Sequence, residues 1–289
     1  MRASPTDGAL MPACRLAATL VAAFALLLLA SCSPSANGSG VTMRTLAYGP
    51  LPQQQADVYE PASPPASAAS RPVALLIHGG GWVAGSRSEF GDMARWLAQQ
   101  GMVPIAIDYR FVTQATWPAQ ADDVERAVWW LRENAQALHA DPSRVVAIGG
   151  SAGGHLAAWL GTTDHPSPKG TPSRVNAVVS MWGPWDLTAT NVREDGKNMI
   201  AALMGSRPAQ EASPLYRIDA RTAPTMLIHG TRDELVPPDQ STHACEVLRA
   251  AKVECDLLLL EGEGHGLTSK NPDLRPVIER LSAFLGRHR

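Results

Sequence analysis

The sequence predicts an α/β protein on a doubly wound, mostly parallel sheet, with a small lid region inserted late in the chain. Three observations carry this. Short runs of Val, Ile and Leu recur along the chain, each bounded by Gly, Pro or Asp. They are apolar throughout rather than alternating, as strands covered on both faces must be. Between them lie segments whose apolar residues recur at helical spacing.

Taken in order, two short edge strands are predicted near Thr42–Tyr48 and Gln55–Glu60. Apolar runs follow at Val73–Ile77, Val103–Ile107, Val145–Ile148, Val175–Ser180, Thr225–Ile228 and Asp256–Leu260. Val124, Ala127, Val128, Leu131, Ala135 and Leu138 mark a helix of about 20 residues from near Ala119, which Asp141-Pro142 ends. Further helices are predicted after Ser151, over Gln240–Ala251 and over Leu274–Leu285. Strand–helix alternation of this kind implies right-handed crossovers. In such sheets the site forms at the carboxyl ends of the strands. Residues 183–222 are poor in strand signals and rich in Pro and polar groups, and are read as the lid. Pro61, Pro64, Pro65 and Pro72 mark a loop, and no internal repeat is visible.

The first thirty residues differ from the rest. Arg2 and Arg15 precede an apolar run from Leu16 to Ala30. That run is too short to span a bilayer, which needs roughly 20 residues, but it suits the core of a signal peptide. Met11 would also serve as a start. The run closes on Leu29-Ala30-Ser31-Cys32, which resembles a bacterial lipobox. The resemblance implies cleavage after residue 31, lipidation of Cys32 and a membrane anchor. Ser33, where an Asp would imply inner-membrane retention, implies sorting to the outer membrane. Residues 32–41 read as a flexible tether from the lipid, and residues 42–289 as one folded domain.

The net charge is −2, and removal of residues 1–31 takes two Arg and one Asp, leaving −3. With no run of Lys and Arg, a nucleic-acid partner is excluded. Besides Cys32, the expected mature chain holds Cys245 and Cys255. Two buried free thiols are the preferred reading; an oxidising compartment would also permit a bridge. Neither has metal-ligand spacing, and no HExxH is present, so no metal is expected.

Gly149-Gly150-Ser151-Ala152-Gly153 lies directly after a predicted strand and before an apolar helix. A serine lifted clear of a sheet by a sharp strand-to-helix turn needs this context. The residues two before and two after it crowd each other, so glycine is required at 149 and 153. The turn also sets the hydroxyl at a helix N-terminus, where developing negative charge is favoured. A phosphate loop is excluded, because no Gly-Lys-Ser or Gly-Lys-Thr follows. The second motif is His78-Gly79-Gly80-Gly81-Trp82, after the Val73–Ile77 run. Three glycines let backbone N–H groups face an oxyanion with no Cβ in the way.

These motifs resemble the HGGG oxyanion loop and nucleophile turn of the hormone-sensitive-lipase-like and BD-FAE-like esterase branch of α/β hydrolases. The resemblance covers roughly residues 43–287 and implies oxyanion donors at Gly80, Gly81 and Ala152. In that fold the chain order is Ser, acid, His. His229-Gly230, Asp233 and Val236-Pro237 resemble the family's acid turn, which Asp233 fills, and His265 fills its Gly-His position. The implied catalytic triad is therefore Ser151, Asp233 and His265, separated by 82 and 32 residues. Asp108-Tyr109-Arg110 and Asp141-Pro142-Ser143-Arg144 also look like this branch. Lipase-like members carry a long N-terminal helical cap. Little more than the two edge strands stands in its place here, which implies an open, shallow site.

The implied activity is a serine esterase acting on short-chain acyl esters, with acetyl groups on carbohydrate as one class, and it needs no cofactor. An oligopeptidase or amidase on the same triad is the alternative, and a non-catalytic binding lipoprotein is a third. Glu234 is a rival acid; Asp239 is read as a helix cap and Asp186 as structural. His155 is expected to face inward, His229 to be a buried hydrogen-bonded histidine, and His78 to anchor the oxyanion loop. Trp82, Trp117, Trp182 and Trp185 are candidates to line the pocket.

Overall fold

The computed structural model describes residues 40–61, 71–266, 268 and 273–289. The expected signal peptide, Cys32, the expected tether as far as residue 39 and the Pro-rich segment over residues 62–70 lie outside the described residues. Eight strands form one sheet: β1 (Val41–Ala47), β2 (Gln55–Pro61), β3 (Arg71–Ile77), β4 (Val103–Ile107), β5 (Ala140–Gly150), β6 (Ala177–Met181), β7 (Thr225–Gly230) and β8 (Cys255–Leu260). Their spatial order is β1-β2-β4-β3-β5-β6-β7-β8. The β1/β2 and β2/β4 pairs are antiparallel, and every other pair is parallel.

Six α-helices accompany them: α1 (Gly91–Gln99), α2 (Ala119–Glu133), α3 (Ala152–Thr162), α4 (Glu194–Met204), α5 (Asp239–Ala250) and α6 (Arg275–His288). Side chains alternate across a strand, so Val73, Leu75 and Ile77 of β3 face one layer and Ala74 and Leu76 the other. The first layer is α2 and α3, carried on by α5 over β7. The second is α1 and α6. All seven residues of β3 are buried, which is why no polar alternation marks the strand in the sequence. Truncating a residue such as Leu76 to Ala would cost about 2–5 kcal/mol. Among the described residues, no helix is long and apolar enough to cross a membrane.

Several boundaries differ from the sequence reading, most of them by one to three residues. Helix α2 stops at Glu133, where the Asn134 side-chain N–H turns back onto the Trp130 carbonyl at 2.8 Å and shares it with the last helical backbone bond. Ala135 and Leu138 stay buried in the turns beyond it, so the apolar rhythm outruns the helix. Strand β5 starts at Ala140, so Asp141-Pro142 lies within it; β6 spans Ala177–Met181 rather than Val175–Ser180.

The preference for free thiols is overturned, since Cys245 and Cys255 form a disulfide, with Cα atoms 5.6 Å apart. Helix α5 closes with the Val253 N–H bonded to the Leu248 carbonyl at 2.9 Å, and Lys252 takes a φ of 63°. This tight reversal lays the start of β8 against the middle of α5, a proximity that spacing alone does not reveal. A double Cys245→Ala/Cys255→Ala variant is expected to lose about 2–3 kcal/mol of stability. Urea denaturation with and without reductant checks this: reductant should weaken the wild type alone.

Candidate active site

The carboxyl ends of β3, β5, β7 and β8 share one rim because these strands run parallel, and each hands a loop to the same place. Strand β5 passes to α3 through Ser151, whose φ of 54° and ψ of −121° lie outside the usual regions for a non-glycine residue. Such backbone costs on the order of 1–3 kcal/mol and persists only where its surroundings enforce it. The Ser151 N–H donates to the Met181 carbonyl at 2.9 Å, and the His155 N–H to the Ser151 carbonyl at 3.0 Å. A Cβ on Gly149 would stand 2.2 Å from the Gly153 carbonyl oxygen, and one on Gly153 would stand 2.0 Å from that of Ile77. Only glycine at both positions lets the turn close against the end of β3. Every residue of α3 is buried, so the helix is a fixed base for the serine.

Asp233 sits in the turn after β7. Its Oδ1 accepts the N–H groups of Leu235 and Val236 at 3.0 and 2.9 Å. Its Oδ2 is 2.8 Å from His265 Nδ1, and His265 Nε2 is 2.9 Å from Ser151 Oγ. A carboxylate can only accept, so Nδ1 carries the proton and Nε2 accepts from the serine hydroxyl. Burial by itself would push the Asp233 carboxyl up. Hydrogen bonds from His229 and His265, the His265 charge and the Val236 N–H outweigh it and hold the pKa at about 2. The three predicted residues thus come together with the acid ionised and the base aimed at the hydroxyl.

The His78–Trp82 loop lies on the other side of Ser151. Gly80, Gly81 and Trp82 all have positive φ, at 98°, 60° and 59°. The Gly80 carbonyl accepts from Val83 and Ala84, closing the turn. Gly81 and Ala152 line the cleft beside Ser151, with Gly80 one residue behind. Ala152 is the first residue of α3, so its N–H has no carbonyl a turn behind it within the helix. His78 is fully buried and stacks on Tyr109 at 4.4 Å between ring centroids. The Tyr109 hydroxyl donates to the His78 and Gly79 carbonyls. Burial lowers the His78 pKa to about 4, so it is a neutral anchor for the loop.

A small cleft opens beside Ser151. Its walls come from Trp82, from Leu235 and Val236, and from the segment between β6 and β7, which supplies Pro184, Met199 and Ile200. Met199 and Ile200 lie on α4, an amphipathic helix whose apolar spacing is visible in the sequence but escaped the reading of residues 183–222 as lid. The cleft is mostly apolar, with Asp186 and Gln240 as its polar members. Gln240 is spent on the backbone of Trp185 and Asp186.

The other candidates separate by geometry. Glu234 is exposed and pairs with Arg193 at 3.3 Å rather than with His265. Asp239 does not cap α5: it is the first helical residue, and its carboxylate accepts from Asn191 at 2.6 Å. Asp186 accepts from the backbone and hydroxyl of Thr188. His155 is buried, with Nε2 2.7 Å from the Ala212 carbonyl, and burial lowers its pKa to about 4. Of the four tryptophans, Trp82 lines the cleft, whereas Trp117 packs on Trp159 and His155. Trp182 and Trp185 are buried in the core. Among the described residues, no group of three His, Cys, Asp or Glu side chains could hold a metal ion.

The chain is similar to known proteins. The BD-FAE family profile matches residues 56–248, well over half of the chain. Esterase LipC of Mycobacterium tuberculosis is 34% identical over 243 residues, covering 78% of this chain and 60% of its own length. The chain spans about half the length of such mycobacterial relatives. A truncated carbohydrate esterase from gut microbiota superposes with a TM-score of 0.73 at 25% identity, over 87% of this chain and 98% of that one. Thermogutta terrifontis esterase 2 with propionate bound superposes with a TM-score of 0.72 at 29% identity, over 86% and 94%. The same enzyme phosphonylated by sarin gives a TM-score of 0.75 at 26% identity, over 85% and 94%.

The depressed Asp233 pKa has a consequence for stability. An unfolded Asp protonates near about 3.9, and the folded group near about 2. The stabilisation it contributes is therefore complete above about pH 5 and is lost progressively as pH falls toward 1. Wild type should lose about 2–3 kcal/mol more than Asp233→Asn between pH 5 and pH 1, read from urea denaturation at each pH.

Proposed function

Because the chain belongs to the BD-FAE family, we propose that it is a serine carboxylic-ester hydrolase of short-chain acyl esters, acetyl groups on carbohydrate among them. The single observation that carries the reading is the continuous path Ser151 Oγ–His265 Nε2, His265 Nδ1–Asp233 Oδ2, at 2.9 and 2.8 Å. No cofactor is required. In this mechanism the Ser151 oxygen attacks the ester carbonyl as its proton passes to His265 Nε2. The imidazolium that forms lies against the ionised Asp233. The tetrahedral oxyanion is met by the backbone N–H groups of Gly81 and Ala152, with Gly80 as the further donor implied by the motif. His265 protonates the departing alcohol, and water then deacylates the serine by the same route.

Several features support a short acyl group. The cleft is bounded closely, and a Cβ on Gly81 would stand 2.6 Å from Met199 Sδ. A structural relative binds propionate, and another is a carbohydrate esterase. The cleft offers no Lys or Arg among its lining residues, so nothing there favours an anionic acyl tail. We further propose that Cys32 is lipidated and holds the enzyme on the cell envelope, at the outer membrane. The apolar run, the Leu29-Ala30-Ser31-Cys32 motif and the Cys245–Cys255 disulfide, which needs an oxidising compartment, support this placement.

Ser151→Ala is expected to lower kcat by roughly 10⁴–10⁶-fold with an unchanged circular dichroism spectrum; undiminished turnover would refute the nucleophile. A p-nitrophenyl ester series should peak at acetate to butyrate, and a peak at laurate or longer would contradict the short-chain assignment. Cys32→Ala should release the protein from the membrane fraction, whereas a variant still labelled by radioactive fatty acid would remove the anchor.

A further inference from the structure

Asp233 Oδ2 has two imidazoles on it. Besides His265 at 2.8 Å, His229 Nε2 lies 3.2 Å away. His229 is the next-to-last residue of β7, is wholly buried, and takes no part in the mechanism above. Its ring is held at both nitrogens. Nε2 is 2.8 Å from the Val236 carbonyl oxygen, and Nδ1 is 2.7 Å from the Ser241 hydroxyl in the first turn of α5. A carbonyl and a carboxylate can only accept, so Nε2 carries the proton and is shared between them. Nδ1 then accepts from Ser241, which fixes that tautomer.

We propose that His229 is a positioning residue for the acyl-transfer site, acting through Asp233, a role that rests on the hydrolase reading above. A carboxylate oxygen has two lone-pair sites. His229 occupies one at Oδ2 and leaves the other for His265, while Leu235 and Val236 fill Oδ1. Four donors thus determine the plane and direction of the carboxylate. His229 also draws off part of the Oδ2 charge that would otherwise fall wholly on His265. A histidine that merely filled the core would need only Ser241 and Val236; the contact to Oδ2 is what links it to catalysis. The chain Ser241–His229–Asp233–His265–Ser151 runs from α5 to the serine through hydrogen bonds of 2.7 to 2.9 Å and the 3.2 Å contact of His229 Nε2 with Asp233 Oδ2.

Other charged groups stand around this chain and stay in place when His229 is changed. They are Glu263 on the His265 loop, Asp186 at the cleft, Arg232 and the Arg193–Glu234 pair beside the acid turn, and Asp239 at the start of α5.

The test uses the full chain with p-nitrophenyl acetate, and counts sites by fluorophosphonate titration. In His229→Leu, kcat per titrated site should fall about tenfold to a hundredfold with KM unchanged. The acid limb of its kcat/KM profile should move to higher pH, because the His265 imidazolium then faces an undivided negative charge. His229→Gln, whose amide can still donate toward Oδ2, should recover most of both. Ser241→Ala, which frees the tautomer, should move the limb in the same direction by less. An unmoved acid limb in His229→Leu would overturn the role, whatever happens to the melting temperature. If that variant does not fold, an unmoved limb in Ser241→Ala overturns it instead. A wild type inert toward both the ester and the fluorophosphonate removes the hydrolase reading itself, before any variant is compared.

Discussion

The close approach of the turn at Ser151 to the carboxyl end of β3 is the constraint on which the site depends. Gly153 lies so near the Ile77 and His78 carbonyls that no side chain fits between them. The serine turn and the glycine-rich loop are therefore held as one unit, with the Gly81 and Ala152 backbones beside one hydroxyl. A turn with ordinary φ and ψ would leave the serine in the plane of the sheet. The strain of the positive φ is held by the buried α3 and by the hydrogen bond to Met181.

Around that fixed serine, charge is managed by pairing. Asp233 is almost wholly buried, and a lone buried carboxylate would be neutralised by proton uptake. Four donors keep it ionised instead, two from the backbone of its own turn and two from imidazoles. The remaining buried histidines follow the opposite logic. His78 and His155 have no carboxylate in hydrogen-bond contact, burial lowers both to about 4, and they serve as neutral packing groups that steady loops near the serine. One residue type thus takes different roles according to what faces its ring nitrogens.

The periphery is secured by different means on its two sides. Toward β1 and β2, ion pairs join the antiparallel strands to the loops: Arg87 bridges Asp57 and Asp108, and Arg110 meets the buried Asp123 with several hydrogen bonds. Toward β7 and β8, the disulfide links α5 to the edge strand that leads into the His265 loop. Helix α4 lies over the cleft with few buried residues of its own, so the wall facing the substrate rests on Met199 and Ile200.

Much of this was legible in the chain because it depends on local spacing. The strands appear as short apolar runs since both their faces are covered, and Gly149 and Gly153 mark the serine turn since only glycine tolerates its crowding. Asp233 and His265 were singled out by the family resemblance of their order and their neighbours. The reading was weaker wherever an outcome depends on two distant segments meeting. The end of α2 at Asn134 turned on a local side-chain hydrogen bond, whereas the pairing of Cys245 with Cys255 and the shape of the wall at α4 were settled by tertiary contacts. So was the second imidazole on Asp233. His229, four residues before the acid, was visible as a buried histidine, but nothing in its spacing says that its Nε2 would share an oxygen with His265. Sequence alone determined which groups could do chemistry, through residue type and turn requirements; the fold decided which of them touch, because hydrogen bonds form or fail over fractions of an ångström.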